Sequence, residues 1–537
     1  MTKQVKIFFL LIILISAILR FYKLDVIPPS LSWDEVANGY NAYTIANWGK
    51  DEWGKVFPLT FKSFEDDKHP VHIYFTALSV KLLGLSDFST RFPAALYGVL
   101  NVVVIFYLAK TLFASNLMGL LSALFLAISP YNLQFSRFNH EANFALFFFL
   151  LGFLLFLKGI RENRIFLPWG FFSFGVSLLS YHPSKVVVPP LILLLIIFFF
   201  KDLLKIKKYF LMALLALSII FMLMFSDKAL LGGARIKQTS INRDKIIKTS
   251  FFKKTHNELL GRMEVTFKQY LWHFDPGYLF VTGSSNSKFS IQTVGQFYKS
   301  DALFLTIGLI GLIAGILFVP SLRKKLLILL VWAILSPLPS SLVEEAPHAA
   351  RASFMMGSWL LISAYGFYLL IILLRGKLAR ATILVLGLAV TFWLFKDYLI
   401  DFYTTYPREH GIDWQYGMKQ IVEYVKEHNG YSRVYVTDIR FQPYIFFLYY
   451  LKTPLPKYLE TVIFTQDTEH RKYSLVSSFG KYHFGDWDPI ESELTMGVLY
   501  AVTPSQYDGL RHRDAFDVKK IIYYPNGTTA FYLVSSI

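Results

Sequence analysis

Residues 71–85 read VHIYFTALSVKLLGL. A helix that crosses a bilayer needs about 20 apolar residues for a hydrocarbon core about 30 Å thick. This run is apolar but stops at 85, well short of that length. Whether it crosses decides the side on which every later loop lies, and the neighbouring charges settle the matter. About eleven other stretches approach spanning length: 6–22, 91–109, 114–130, 142–158, 165–181, 186–200, 208–226, 302–319, 325–341, 353–374 and 381–399. With the N-terminus inside, the connections on that side carry Lys110, then Lys158, Arg161 and Arg164, then Lys201, Lys205, Lys207 and Lys208. Arg323, Lys324 and Lys325 follow, and finally Arg375, Lys377 and Arg380; the only acids among them are Glu162 and Asp202. Short loops rich in Lys and Arg stay in the cytoplasm. Counting 71–85 as a span would invert that bias, so we read it as an interfacial or re-entrant helix on the outer side.

Composition agrees with a membrane protein. Of 537 residues, 54% are hydrophobic and 17% charged, and the mean hydropathy is +0.43. A single soluble domain has no core large enough for that apolar content. The net charge of +17 sits between apolar runs, which points to membrane orientation and away from nucleic acid. The absence of cysteine excludes disulfides and thiolate metal sites. The first run, KIFFLLIILISAILRFY with Lys3 ahead of it, resembles a signal peptide. It lacks a small-residue cleavage site, so it reads as a retained first helix.

The expected fold class is therefore an α-helical polytopic membrane protein with about eleven transmembrane helices and a C-terminal α/β soluble domain. The expected division is 1–400, with outer loops 23–90 and 227–301, and an extracytoplasmic domain over 401–537. In that tail, DWQYGMKQIVEYVKEH gathers Trp414, Met418, Ile421, Val422 and Val425 on one helical face. RVYVTD and GVLYAV read as strands, and KKIIYY–PNG–TTAFYLVS as a hairpin. The tail has no glycine-rich phosphate fingerprint. The sequon at Asn526 is better explained by the hairpin turn.

The outer loops hold the candidate chemistry. Residues 30–43 read SLSWDEVANGYNAY. Ser32 followed three residues later by Glu35 predicts a capping box, with Leu31 and Val36 as its hydrophobic staple. Glu35 thus has a structural job available. Asp34 gains modestly from the helix dipole but caps nothing in that motif. Adjacent helical residues point about 100° apart, so the two carboxylates do not readily share one proton. If one is chemical, it is Asp34.

Three further clusters lie outside. FEDDKHPVHIYF, 64–75, combines Asp66, Asp67, Lys68, His69 and His72 ahead of a helix opened by Pro70. It reads as a solvated turn, or as a cation held where it meets a lipid phosphate. SPYNLQFSRFNHEANF, 129–144, places Arg137 and Glu141 at i, i+4, where they could simply pair, with His140 beside them. EEAPHAARASF, 344–354, sets His348 and Arg351 at the opening of a membrane helix. Arg351 snorkels there or binds phosphate through its planar fork. None of these has His/Cys metal spacing, and no acid pair sits in mid-membrane. The combination suggests chemistry on a charged lipid headgroup at the outer surface.

WDE in the first outer loop, KHPVHIYFTALSVKLLGLSDFSTRFPAALYGVL, and SPYNLQFSRFNHEANFALFFFLLGFLLFLKG together resemble the polytopic glycosyltransferases of GT-C fold that use lipid-linked sugars. That group includes the protein O-mannosyltransferases and the aminoarabinose transferase of lipid A. The resemblance covers about 20–200 and weakens beyond, where HFDPGYLFVTG and APHAARASFMMG look like elements of bacterial members. It implies that Asp34 is the catalytic base with Glu35 as its acidic neighbour, and that Lys68 lies near the donor phosphate. Glu141 stands where many relatives have aspartate, and His69 replaces a common proline.

The resemblance implies a polyprenyl-phosphate sugar donor and an acceptor hydroxyl from a glycan, lipid or protein. Asp34 would take the hydroxyl proton. Lys68 and Arg351, backed by His348 or Arg137, would stabilise the departing phosphate, and His69 and Glu141 are expected with them among the substrate-binding residues. A lone base fits single displacement with inversion. No cofactor is expected. A divalent metal is not required, although Asp66 and Asp67 leave one open. The partners expected are donor, acceptor and bilayer, with no nucleic acid. The expected location is the plasma membrane, with the N-terminus cytoplasmic and the C-terminal domain outside. Two other classes stay open: a flippase of lipid-linked sugar, and a scaffold for glycan assembly.

Overall fold

The structure, a computed structural model, describes residues 1–64, 66–232, 239–466, 471, 473–485 and 496–536. The side chain of Asp66 lies outside that set. The chain forms two compact units. One, the helical unit, comprises Met1–Tyr22 and Ala94–Asp401; the other, the sheet unit, comprises Lys23–Pro93 and Phe402–Ile537.

All eleven expected spans are helical, but not all are long. Among the described residues, eight helices are long and apolar enough to cross a membrane, and a ninth counts if the bent pair Asn116–Ile128 and Pro130–Ser136 is one span. The expected spans 165–181 and 325–341 appear as Phe166–Leu178 and Pro320–Leu335, of 13 and 16 residues. At 1.5 Å per residue neither reaches across a hydrocarbon core on its own.

The bend shows how the helical unit satisfies buried backbone. Pro130 has no N–H, so the helix breaks there by 60°. The carbonyls freed at the break must find donors, because lipid offers none. Arg20, at the end of the Lys3–Phe21 helix, supplies them: it donates to Leu126 O at 3.2 Å and Ala127 O at 3.1 Å. The same guanidinium reaches Asn132 Oδ1 at 2.6 Å and Ser16 Oγ at 2.8 Å. Elsewhere small residues let backbones touch. A Cβ on Gly152 would lie 2.9 Å from the Gly170 carbonyl, so Glu141–Arg161 and Phe166–Leu178 pack at close range.

The sheet unit begins with the Trp33–Trp48 helix, the hairpin β1 (Phe61–Ser63) and β2 (Asp66–Lys68), and the Pro70–Leu83 helix. Its C-terminal part adds β3 (Arg433–Thr437), β4 (Ile463–Phe464), β5 (Val476–Phe479), β6 (Tyr482–Gly485), β7 (Val498–Val502), β8 (Phe516–Tyr523) and β9 (Thr529–Ser536). Among the described residues these C-terminal strands make one sheet in the order β4-β5-β6-β3-β7-β9-β8. β3 runs parallel to β6 and β7, and the other pairs are antiparallel. The predicted strands and hairpin are all present. The predicted helix is shorter, Met418–Glu427, because Gly417 at φ +105° ends the preceding turn. Its apolar face is buried as expected, with Trp414 and Ile421 fully enclosed.

One expectation needs correction. The first long loop, 23–93, does not group with the apolar helices. Val36, Tyr40, Phe61 and Ile73 from that loop share one apolar core with Ile421, Tyr444, Phe447 and Leu499 from the tail. A division at 400 would cut this core, so the unit is 23–93 together with 402–537. The 71–85 run is the Pro70–Leu83 helix of this unit, with Pro70 at its first position. It packs against Trp33–Trp48.

Candidate active site

The capping box forms as read. Glu35 N donates to Ser32 Oγ at 3.4 Å, and Ser32 N donates to Glu35 Oε2 at 3.1 Å. Glu35 also meets Arg91 through two parallel bonds, Nε to Oε1 at 2.9 Å and Nη2 to Oε2 at 3.1 Å. Both side chains are fully buried. Arg91 uses its other donors on the carbonyls of Leu24, Pro28 and Ser30, and its guanidinium lies 5.7 Å from the Trp414 ring. The expected catalytic neighbour Glu35 thus sits in a buried ion pair. Its carboxylate is buried and fixes the chain that leads into the helix. The sequence signal for this anchor was the Arg in STRFP, 89–93, but nothing in the sequence paired it with position 35.

Asp34 is placed differently. It is about half exposed, 48%, while Lys68 is only 8% exposed. Lys68 Nζ lies 2.9 Å from Asp34 Oδ1 and donates to the Asp34 carbonyl at 3.2 Å. The short hairpin brings Lys68 there. β2 pairs with β1 so that Lys68 faces Phe61, which is fully buried and pins the register. Strand alternation puts Asp67 on the face opposite Lys68. An ammonium this enclosed makes a stronger electrostatic partner than a surface lysine.

Aromatic rings stand beside the pair. The Trp33 ring is 5.0 Å from Phe441 and 6.4 Å from Phe64, both edge-on, and Lys68 Nζ is 5.4 Å from the Phe64 ring. Phe441 and Gln442 hold φ of +60° and +50°. Left-handed backbone at two consecutive non-glycine residues is costly, about 1–3 kcal/mol each, and gathers at functional sites. Gln442 is pinned there: its N–H donates to the Tyr473 carbonyl at 2.6 Å, and Leu475 N donates to its Oε1 at 3.1 Å. Sequence reading missed these rings, since positions 33, 64 and 441 share no local pattern.

The remaining predicted residues divide between the two units. His69 is buried at the N-cap of Pro70–Leu83 without a capping bond from its side chain. Arg137 is corrected most. It is 1% exposed, and it donates to the carbonyls of Leu19, Arg20 and Tyr22. It clamps the end of the first helix. The i, i+4 register with Glu141 does not exist, because Pro130–Ser136 ends before Arg137 and a new helix opens at Glu141. His140 caps that helix by accepting from Ala142 N at Nδ1. A ring nitrogen that accepts carries no proton, so its 3.8 Å approach to Glu141 is not an ion pair in that state.

In the helical unit, Arg351 Nη1 and His348 Nε2 both approach Glu345 Oε2, at 3.4 and 3.9 Å. They lie in turns ahead of the Met355–Leu373 helix, which opens later than the sequence suggests. Among the described residues no three His, Cys, Asp or Glu side chains gather at metal-binding range. The Asp66 half of the Asp66/Asp67 reading lies outside the described residues.

Residues 67–225 match the family model described as dolichyl-phosphate-mannose-protein mannosyltransferase. A curated relative, YkcB of Bacillus subtilis (strain 168), a mannosyltransferase by name, is 28% identical over 179 residues. That match spans 32% of this chain and about a quarter, 24%, of the relative. Among solved structures, ArnT from Cupriavidus metallidurans bound to undecaprenyl phosphate superposes with a TM-score of 0.55 at 14% identity, over 98% of this chain and 97% of that one. The archaeal oligosaccharyltransferase AglB from Archaeoglobus fulgidus, in complex with an inhibitory peptide and a dolichol-phosphate, gives 0.52 at 15% identity. That likeness covers 83% of this chain and 64% of AglB. The chain thus has the GT-C fold shared with ArnT and AglB, and its residues 67–225 are similar to the dolichyl-phosphate-mannose-protein mannosyltransferase family.

Proposed function

We propose that the protein is an inverting glycosyltransferase that moves a sugar from a polyprenyl-phosphate donor to an acceptor hydroxyl at the outer face of the plasma membrane. The observation that carries this reading is the Asp34–Lys68 pair, a half-exposed carboxylate held against an enclosed ammonium beside aromatic rings. Without donor, Asp34 balances the Lys68 charge. When the donor phosphate arrives, its oxygens take over Lys68 and the Asp34 carboxylate becomes available to the acceptor.

The acceptor oxygen then attacks the anomeric carbon, and the bond from that carbon to the phosphate oxygen breaks. Both electrons stay on the phosphate. The hydroxyl proton passes to Asp34. The leaving group is a phosphate monoester with a second pKa near ~6, so it departs without a general acid. Lys68 meets the charge as it grows. Trp33, Phe64 and Phe441 offer apolar faces for the sugar ring.

The test is purified full-length protein with a panel of polyprenyl-phosphate sugars, scored for release of free polyprenyl phosphate. Asp34→Asn is expected to lose turnover by about 10²–10⁴-fold, the usual worth of a general base. Transfer at the unaltered rate by that variant would overturn the reading, and a flippase would tolerate the change. Deleting 402–537 does not discriminate a scaffold, because that segment supplies most of the core around the 23–93 loop.

A further inference from the structure

In the helical unit, the Glu258–Trp272 helix turns its apolar face outward. Gly261, Val265 and Gln269, with His273 just beyond the last turn, are buried. Leu259, Met263, Phe267 and Leu271 are between 49% and 65% exposed. Both sets recur every four residues, and at about 100° per residue they look in nearly opposite directions. A helix standing in water buries the second set and exposes the first. The inward set is fixed by packing. A Cβ on Gly261 would stand 2.9 Å from Ile246 Cγ2 and 3.0 Å from the Ile246 carbonyl, and Gln269 Nε2 donates to the Glu344 carbonyl at 3.4 Å. The helix therefore cannot roll over to cover its Leu, Met and Phe side chains. Nor can it cross a bilayer, since its 15 residues include Glu258, Arg262, Glu264 and Lys268.

We propose that the Glu258–Trp272 helix lies flat on the bilayer surface and that its apolar stripe docks on lipids with anionic headgroups. Three observations select this occupant. The segment is tied to the bilayer at both ends, by the apolar helices Lys207–Ser226 and Lys299–Phe318. The helix also sits where another apolar helix stops: the Tyr270 hydroxyl donates to the Ile334 carbonyl at 2.9 Å, in the last turn of Pro320–Leu335. Tyr and Trp collect at the level where a membrane helix meets water, and Trp272, half-exposed, ends the helix. Lastly, the charge around the stripe is positive. Arg243, Lys245 and Lys268 pair with Glu258, Glu344 and Glu264. Lys248, Lys253, Lys254 and Arg262 are exposed and have no carboxylate partner among the described residues. Arg262 and Lys268 border the stripe on its two sides, where long side chains run along apolar surface and keep their charge among headgroups. An amphipathic helix of this kind enters about 5–10 Å into the boundary between headgroups and acyl chains.

The sugar donor has no part in this docking, so the test needs none. The chain contains no cysteine, so a single fluorophore can be attached at Met263→Cys or at Phe267→Cys in the full-length protein, reconstituted into nanodiscs. Both positions are exposed, and the packed side of the helix is left unaltered. Two quenchers are compared, acrylamide in the water and a lipid carrying a nitroxide just below its headgroup. Both positions are expected to be quenched severalfold more by the lipid than by acrylamide. Nitroxide-labelled phosphatidylglycerol is expected to quench severalfold more than nitroxide-labelled phosphatidylcholine at the same fraction. On the Phe267→Cys background, Lys248→Gln, Lys253→Gln, Lys254→Gln and Arg262→Gln together are expected to abolish that preference and keep the quenching by lipid, because they remove charge and leave the stripe. Stronger quenching by acrylamide than by lipid at both positions overturns the docking. Equal quenching by the two lipids in the unaltered background overturns the assignment to anionic headgroups. Energy transfer between probes on two copies, with neither quencher effective, shows a protein interface in place of a lipid one and overturns the proposal.

Discussion

Asp34 and Glu35 are neighbours in sequence with opposite fates, and the difference is one of exposure. Asp34 faces solvent at 48% and meets Lys68; Glu35 is sealed against Arg91. Mutations at the two positions should therefore separate stability from chemistry. Arg91→Met leaves a buried carboxylate without its cation, which costs about 3–5 kcal/mol. The expected result is a large drop in unfolding temperature in detergent, recovered in part by the double variant Arg91→Met/Glu35→Gln, which removes the stranded charge. Asp34→Asn should leave the unfolding temperature nearly unchanged, within the ±0.5 kcal/mol typical of exposed sites, while turnover is lost. A drop in stability for Asp34→Asn equal to that of Arg91→Met would show that the pair is structural. At this scale the sequence allowed the capping box to be read in full, because SLSWDE holds both of its members within four positions. It hid the Arg91 anchor and the aromatic rings, whose members lie dozens to hundreds of residues apart.

The elements that carry the site are held by close packing. The Trp33–Trp48 helix has a glycine where it meets its neighbours: a Cβ on Gly39 would stand 2.5 Å from Tyr449 Cε2 and 2.7 Å from Thr90 Oγ1. Those two partners are themselves joined, hydroxyl to hydroxyl, at 2.7 Å. Glycine to alanine within a helix ordinarily gains about 1 kcal/mol. Here the clash outweighs it, since overpacking costs about 1–3 kcal/mol and the obstructing atoms are a buried ring and a bonded hydroxyl. Gly39→Ala is thus expected to lower the unfolding temperature and to reduce turnover, because the helix that presents Asp34 is forced away from its support. A gain in stability would mean that Tyr449 moves freely. Elements were the most legible level. The β-branched and aromatic runs RVYVT, VLYAV and the final hairpin, and the apolar stripe of Met418–Glu427, are local and survive folding. The helices Phe166–Leu178 and Pro320–Leu335 are shorter than the apolar runs that announced them, because hydropathy measures apolar length and not where Pro, Gly or a loop ends the helix.

For the whole molecule, the error in the domain reading has a single physical cause. Periodicity tells which face of an element is apolar and not which partner will cover it. The 23–93 loop and the 402–537 tail each carry an incomplete core, and only together do they enclose Tyr40, Phe61, Tyr444 and Phe447. Both segments must therefore emerge on the same side of the membrane. From the loop charges we propose that this side is the outer one, which is open to direct test because the chain contains no cysteine. Single cysteines can be placed at Lys50, exposed in the first loop, and at Lys377, exposed in the last basic connection. In intact cells a membrane-impermeant maleimide is expected to label Lys50→Cys, and to label Lys377→Cys only after permeabilisation. The opposite pattern would put Asp34 and Lys68 in the cytoplasm. Equal labelling of both in intact cells would break the argument from charge, since it requires an odd number of crossings between positions 50 and 377. The spans read from the sequence give nine crossings between those positions, and seven if neither Phe166–Leu178 nor Pro320–Leu335 crosses; both numbers are odd, so equal labelling would mean that one of these two helices crosses without the other.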